Sequence, residues 1–291
     1  MSLFSCFKKS RSSVSSTGVS EGIFRKRGPG FTTQPGAHSA QHAWAALYQK
    51  TKDTFCSGRY PPGVITKQSS GAGLFLVHTV RDLHLNSSPL LSGRAESIFS
   101  NWDMISTSLV DGDHPFSIRT HWANVGFILA VPAQNIIGTF EKDVSFPNHA
   151  GIDKQTNEVI NSYALVDSYL NGINKQGKHP RYGRPQVNER GQPFYQEKNT
   201  YRRVVSPEQL LRHQCTSLHN EVLVVGRSHI RTHETLPATQ PVNVVGLYAS
   251  FVGGRYKGKE RDKAAAHRTI EQLLQLNPSL PVLWQNSDRD I

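Results

Sequence analysis

Apolar residues along this chain recur with two periods. Segment 39–55, SAQHAWAALYQKTKDTF, sets Ala43, Trp44, Leu47 and Tyr48 at helical spacing behind Ser39, which predicts a capped amphipathic helix opening the folded part. SPEQLLRH (206–213) predicts a second helix, with Ser206 as cap and Pro207 in the first turn. DKAAAHRTIEQLLQL (262–276) places Ala266, Ile270, Leu273 and Leu274 on one helical face, a pattern made for packing, and RAESIFSNW (94–102) predicts a shorter helix. The remaining apolar runs are short, rich in Val, Leu and Ile, and bounded by Gly, Asp or Asn: GLFLVHTV (73–80), DMISTSLVDG (103–112), VGFILAVPA (125–133), LHNEVLVVG (218–226) and PVNVVGLYASFV (241–252). These predict strands. Both helices and strands are therefore expected, and no internal repeat is visible.

Two regions lack either period. Residues 1–22 are Ser-rich and 23–40 carry closely spaced Gly and Pro, so 1–38 read as a disordered leader ahead of a domain at 39–291. The leader lacks the apolar block of a cleaved secretory signal. It suits export by a machine that threads unfolded chains, or serves merely as a linker. Residues 148–203 are polar and rich in Gly, Asn, Gln and Tyr, and are expected to form an insertion on the domain. Its Tyr163, Tyr169, Tyr182, Tyr195 and Tyr201 suit a substrate-docking surface or, equally, a loop that covers the core.

Composition narrows the function classes. A chain of 291 residues with 37% hydrophobic content can bury a core of ordinary size. The longest apolar run, VVGLYASFV (244–252), is strand-sized, so no membrane span is expected. The net charge of +11 and pI near 9.7 fit either simple solubility or an anionic partner. Apart from FKKSR (7–11) and FRKRG (24–28) the basic residues are scattered, which argues against a nucleic-acid stripe. Cys6, Cys56 and Cys215 are odd in number and far apart, so neither a disulfide framework nor a zinc site is indicated, and no other metal-ligand cluster is visible.

Three strand motifs remain once core positions are set aside: LVHTV, ISTSL and HNEVLV, supplying His78, then Ser106, Thr107 and Ser108, then Glu221. Taken singly, His78 reads as a half-buried histidine, the hydroxyl triplet as an ordinary strand, and Glu221 as a solvated strand terminus or a fixed charge facing a cleft. In this order and strand context they resemble the mono-ADP-ribosyltransferase family, over about Leu74 to Phe251. In that family a first strand carries an Arg or His that holds NAD, a second carries Ser-Thr-Ser, and a later one carries the catalytic glutamate. GFILAVPAQNIIGTF (126–140) is similar to the family's third strand.

The resemblance implies an α+β, ADP-ribosyltransferase-like fold, a mixed β-sheet core with flanking helices and a long polar insertion, and a transferase that uses NAD as substrate. Releasing nicotinamide builds positive charge on the ribose, and a fixed carboxylate in a water-poor cleft stabilises it. Glu221 has that role, with Ser106 orienting it, while His78, Thr79, Arg81, Thr107 and Ser108 hold the nucleotide. Arginine-modifying members carry Glu or Gln two residues before the catalytic glutamate, where this chain has His219. A neutral imidazole can take the proton of a hydroxyl acceptor, so His219 joins the catalytic set. His78 stands where Arg is expected beside Ser-Thr-Ser, and Arg81 supplies a guanidinium only if the strand end curls back.

Together with the leader and the insertion, this mixture resembles bacterial effectors that ADP-ribosylate a threonine of host ubiquitin. It implies a secreted effector acting in host cytoplasm on a protein partner, ubiquitin, with no membrane or nucleic-acid partner. Arginine-specific or nucleic-acid transfer, and an inactive binding module, are the alternatives.

Overall fold

The computed structural model describes residues 37–67, 71–80, 94–100, 102, 105–113, 124–140, 186–187, 193–194, 204–212, 220–230, 236–251 and 260–285. Helix α1 (Ala37–Cys56) begins two residues before the expected start, so Ser39 lies within the helix and is not its cap. Ala40, Trp44, Leu47, Thr51 and Phe55 form its buried stripe at the spacing of three and four that one helical face requires. Trp44 Nε1 donates to Val205 O at 2.7 Å, tying α1 to a segment far along the chain.

Helix α2 (Ala95–Phe99) and helix α3 (Pro207–Arg212) are single short turns. At α3, Gln209 N donates to Ser206 Oγ and Ser206 N to Gln209 Oε1, so the cap read from the sequence is a reciprocal capping box. Helix α4 (Glu260–Leu276) buries Ala266, Ile270 and Leu273, with Leu274 packed at the edge of the same cluster.

The main sheet has eight strands in the order β1-β10-β9-β4-β2-β3-β8-β5. They are β1 (Ile65–Thr66), β2 (Leu74–Val80), β3 (Ile105–Asp111), β4 (Val125–Ala130), β5 (Ile136–Phe140), β8 (Glu221–Val224), β9 (Asn243–Ser250) and β10 (Val282–Gln285). The β1–β10 and β10–β9 pairs are parallel and the others antiparallel. Helix α4 is the crossover that the parallel β9–β10 pair requires. Within the expected insertion, β6 (Gln186–Val187) and β7 (Pro193–Phe194) pair antiparallel as a separate ribbon. The five tyrosines lie outside the described residues.

Segment 126–140, expected from the resemblance as one strand, is two, and the strand that the apolar run predicts over 125–133 ends early. It breaks after Ala130, turns through Ala133–Asn135, and resumes as β5 at the edge of the sheet beyond β8. Pro132 lacks the N–H that a continuing ladder needs, and its carbonyl instead accepts from Asn135 N at 2.9 Å.

Two apolar clusters lie on opposite faces of the central strands. Leu76, Phe127, Leu129, Leu247 and Ala249 pack with α4, α2 and the start of α1. Phe75, Val77, Ile128, Ala130 and Tyr248 pack with Phe55 and Tyr60 near the end of α1. The strict alternation of these names along β2 and β4 is the two-residue period of a sheet buried on both faces.

Candidate functional site

The site forms where the central sheet divides. Strands β2 and β3 pair from Leu74↔Asp111 to Val77↔Ser108. Past that point β2 stays with β4 as far as Val80↔Val125, while β3 stays with β8 as far as Ile105↔Val224. The divergence opens the ladder beside His78 and Thr79 on one side and Ser106 and Thr107 on the other.

Glu221 is the first residue of β8 and pairs with Ser108 of β3 and Phe140 of β5. Its flanks hold it in place: Leu109 N donates to the carbonyl of buried Asn220 at 3.0 Å. Glu221 is 0% exposed, so it is not the solvated strand terminus that its sequence position allows, and it is a core residue. Ser106 Oγ donates to Glu221 Oε1 at 2.5 Å. A buried carboxylate is costly to keep charged, and a charge-assisted hydrogen bond of this kind offsets part of that cost.

Paired residues share a face, which sorts the remaining candidates. Glu221, Ser108 and Val77 lie in one paired row, and Ser106, two residues from Ser108, points to the same side. Thr79 has the parity of Val77 and belongs to that side as well. His78 pairs with Phe127 and faces the opposite side, where its ring meets Phe99 at 5.5 Å and Trp102 at 5.1 Å, both edge-on. Thr107 also faces away from the carboxylate, and its Oγ1 donates to Val222 O at 2.7 Å.

The structure therefore brings Ser106, Ser108 and Thr79 to the face of Glu221, and it separates His78 and Thr107 from it. His78 reaches the group by another route, through its Nδ1, 2.8 Å from Ser106 O. Arg81 and His219 lie outside the described residues.

Several supports were not legible as such in the sequence. A Cβ on Gly126 would overlap the His78 carbonyl oxygen, so β4 can lie against β2 at this level only as glycine. A Cβ on Gly226 would overlap Phe99 O and lie 2.6 Å from Trp102 O, while Arg227 N donates to Trp102 O at 2.9 Å. The end of β8 thus seats the aromatic pair that flanks His78. Asn135, 0% exposed, donates to Val225 O and Gln240 O, both at 2.7 Å, and accepts from Gln240 N at 3.0 Å. Thr239 Oγ1 donates to Arg227 O and accepts from Ile230 N, closing the turn after β8. The available signals were a glycine inside one strand pattern and at the end of another, and an Asn three residues after a proline, between two apolar runs.

Among the described residues no group of His, Cys, Asp and Glu is arranged to hold a metal ion, and no helix is long and apolar enough to cross a membrane. A surface depression of about 580 Å³ lined by Lys50, Asp53 and Arg59 runs along α1 and shares no residue with this group. No protein-family model matches the chain, and no curated protein or solved structure matches it.

Proposed function

We propose that the protein transfers ADP-ribose from NAD to a protein side chain, the acceptor being a hydroxyl and the leading candidate a threonine of host ubiquitin. One observation carries the reading: a buried carboxylate, Glu221, oriented by the hydroxyl of Ser106 at a division in the sheet. A water-excluded negative charge is the group that stabilises an oxocarbenium-like ribose, and an electrostatic partner of this kind is commonly the largest single contribution to such catalysis. The motif order His78, Ser106-Thr107-Ser108, Glu221 supplies the rest of the support.

In the proposed reaction the bond between ribose C1′ and the nicotinamide nitrogen breaks, and nicotinamide leaves with the electron pair. Glu221 faces the positive charge left on the ribose. The acceptor oxygen then bonds to C1′ and its proton passes to a base, a role assigned to His219 from its place two residues before Glu221. Ser108 and Thr79, on the same face, are the described hydroxyls suited to the nucleotide, and Arg81 is assigned to its phosphates from its sequence position, a role that requires the end of β2 to curl back. The Ser-rich leader supports a secreted effector working in host cytoplasm.

The test is incubation of the full chain with NAD and ubiquitin, followed by intact-mass and fragment mass spectrometry. The expected result is an added ADP-ribose on a threonine together with released nicotinamide. Modification of arginine or of nucleic acid would replace the acceptor assignment, and no consumption of NAD with any acceptor would overturn the reading.

A further inference from the structure

We infer that His78 is a positioning residue, one that fixes the peptide of Ser106 and through it the hydroxyl on Glu221; this rests on the transferase reading. A carbonyl oxygen can only accept, so the 2.8 Å approach of His78 Nδ1 to Ser106 O requires a hydrogen on Nδ1. The bond forms where β3 has lost its ladder with β2, the last pair being Val77↔Ser108. The imidazole N–H thus serves the Ser106 carbonyl where the neighbouring strand no longer does. Its ring is held edge-on by Phe99 and Trp102. Trp102 is itself fixed by Arg227 N, just beyond β8, and Gly226 leaves room for the carbonyls of Phe99 and Trp102. The same peptide of Ser106 carries the Oγ that lies 2.5 Å from Glu221 Oε1. His78 therefore acts from the opposite sheet face, without touching the reacting atoms.

Two variants and one spectroscopic measurement on the full chain test this. His78→Phe keeps a ring between Phe99 and Trp102 but removes the donor, whereas His78→Asn places an amide N–H near the position of Nδ1. Loss of a few tenths of an ångström of alignment is expected to lower kcat about tenfold or more in His78→Phe, with KM for NAD within about twofold of wild type. His78→Asn should recover most of kcat. A raised KM with unchanged kcat would make His78 a nucleotide ligand and overturn the proposal; so would kcat unchanged in His78→Phe, or equal losses in both variants. Independently of turnover, long-range nitrogen-15 NMR of wild-type protein at neutral pH should show His78 protonated at Nδ1. A ring protonated at Nε2 alone sinks the proposal even if both variants are inactive. If wild type consumes no NAD, the transferase reading fails, and the NMR result still decides whether the His78–Ser106 bond exists.

Discussion

Ser106 and Glu221 stand 115 residues apart in the chain, yet the hydroxyl of one donates to the carboxylate of the other at 2.5 Å across the β3–β8 pair. The bond is diagonal, since Ser106 faces Leu223 in the ladder and Glu221 faces Ser108. Diagonal neighbours on one face of a sheet lie within reach of longer side chains, and a glutamate spans that gap.

On the transferase reading proposed above, Glu221→Gln should lower transfer by at least about a hundredfold, on the order of 3 kcal/mol of transition-state stabilisation, while the melting temperature stays close to wild type. Gln is the informative replacement because Glu221 is fully buried and Ala would leave a cavity. Ser106→Ala should act chiefly on kcat, and the double variant should be little worse than Glu221→Gln alone, since the two side chains work as one unit. Steady-state kinetics with NAD checks this, and fully multiplied losses would show that Ser106 acts elsewhere.

Gly226→Ala should destabilise the protein by about 1–3 kcal/mol, because the added methyl group meets the carbonyl oxygens of Phe99 and Trp102, which are backbone atoms that cannot rotate away. Thermal unfolding monitored by circular dichroism reads it. A melting temperature equal to wild type would mean that the Trp102 segment yields freely to the end of β8.

Replacement of Asn135 by Leu, similar in volume, should cost about 3 kcal/mol, since Val225 O, Gln240 O and Gln240 N each lose a buried hydrogen-bond partner. Urea unfolding measures the loss. Stability unchanged within error would show that the three backbone groups find other partners.

Alkaline pH should weaken the fold through Tyr248. Burial pushes its phenol well above the ordinary tyrosine value, with a hydrogen bond from Ser250 acting in the opposite direction. Below about pH 10 the phenol is neutral in both folded and unfolded chains and contributes no slope. As pH rises further the unfolded chain releases this proton while the folded one retains it, so unfolding gains and stability falls. Tyr248→Phe should be less stable at neutral pH, having lost the 2.7 Å bond to Gln285 Oε1, yet show a shallower decline above pH 10. Urea midpoints at pH 7 and about 10.5 for the two proteins decide it; parallel declines would assign the alkaline loss to other groups.

The local elements were legible because they depend on nearest neighbours in sequence. Of the helical face expected at Ala43, Trp44, Leu47 and Tyr48, Trp44 and Leu47 are buried and the other two half-buried, LFLVHTV and ISTSLVD read as strands, and the Ser206 cap was recognisable from S-P-E-Q. The sequence also singled out Ser106 and Glu221 as chemistry-bearing positions on strands.

What only the tertiary structure decided is which strands meet, and in what register. The order β4-β2-β3-β8-β5 joins segments far apart in the chain, and no local pattern distinguishes one apolar strand as the partner of another. Register matters most at the site, because a shift of one residue sends a side chain to the other face. His78 and Ser106 look equivalent as polar residues within apolar strands. Yet His78 pairs with Phe127 and turns towards aromatic rings, while Ser106 shares a face with Ser108 and Glu221. The burial of Glu221 has the same origin. A strand terminus reads from the sequence as solvated or as facing a cleft, and only the placement of β8 between β3 and β5 decides that Glu221 is buried.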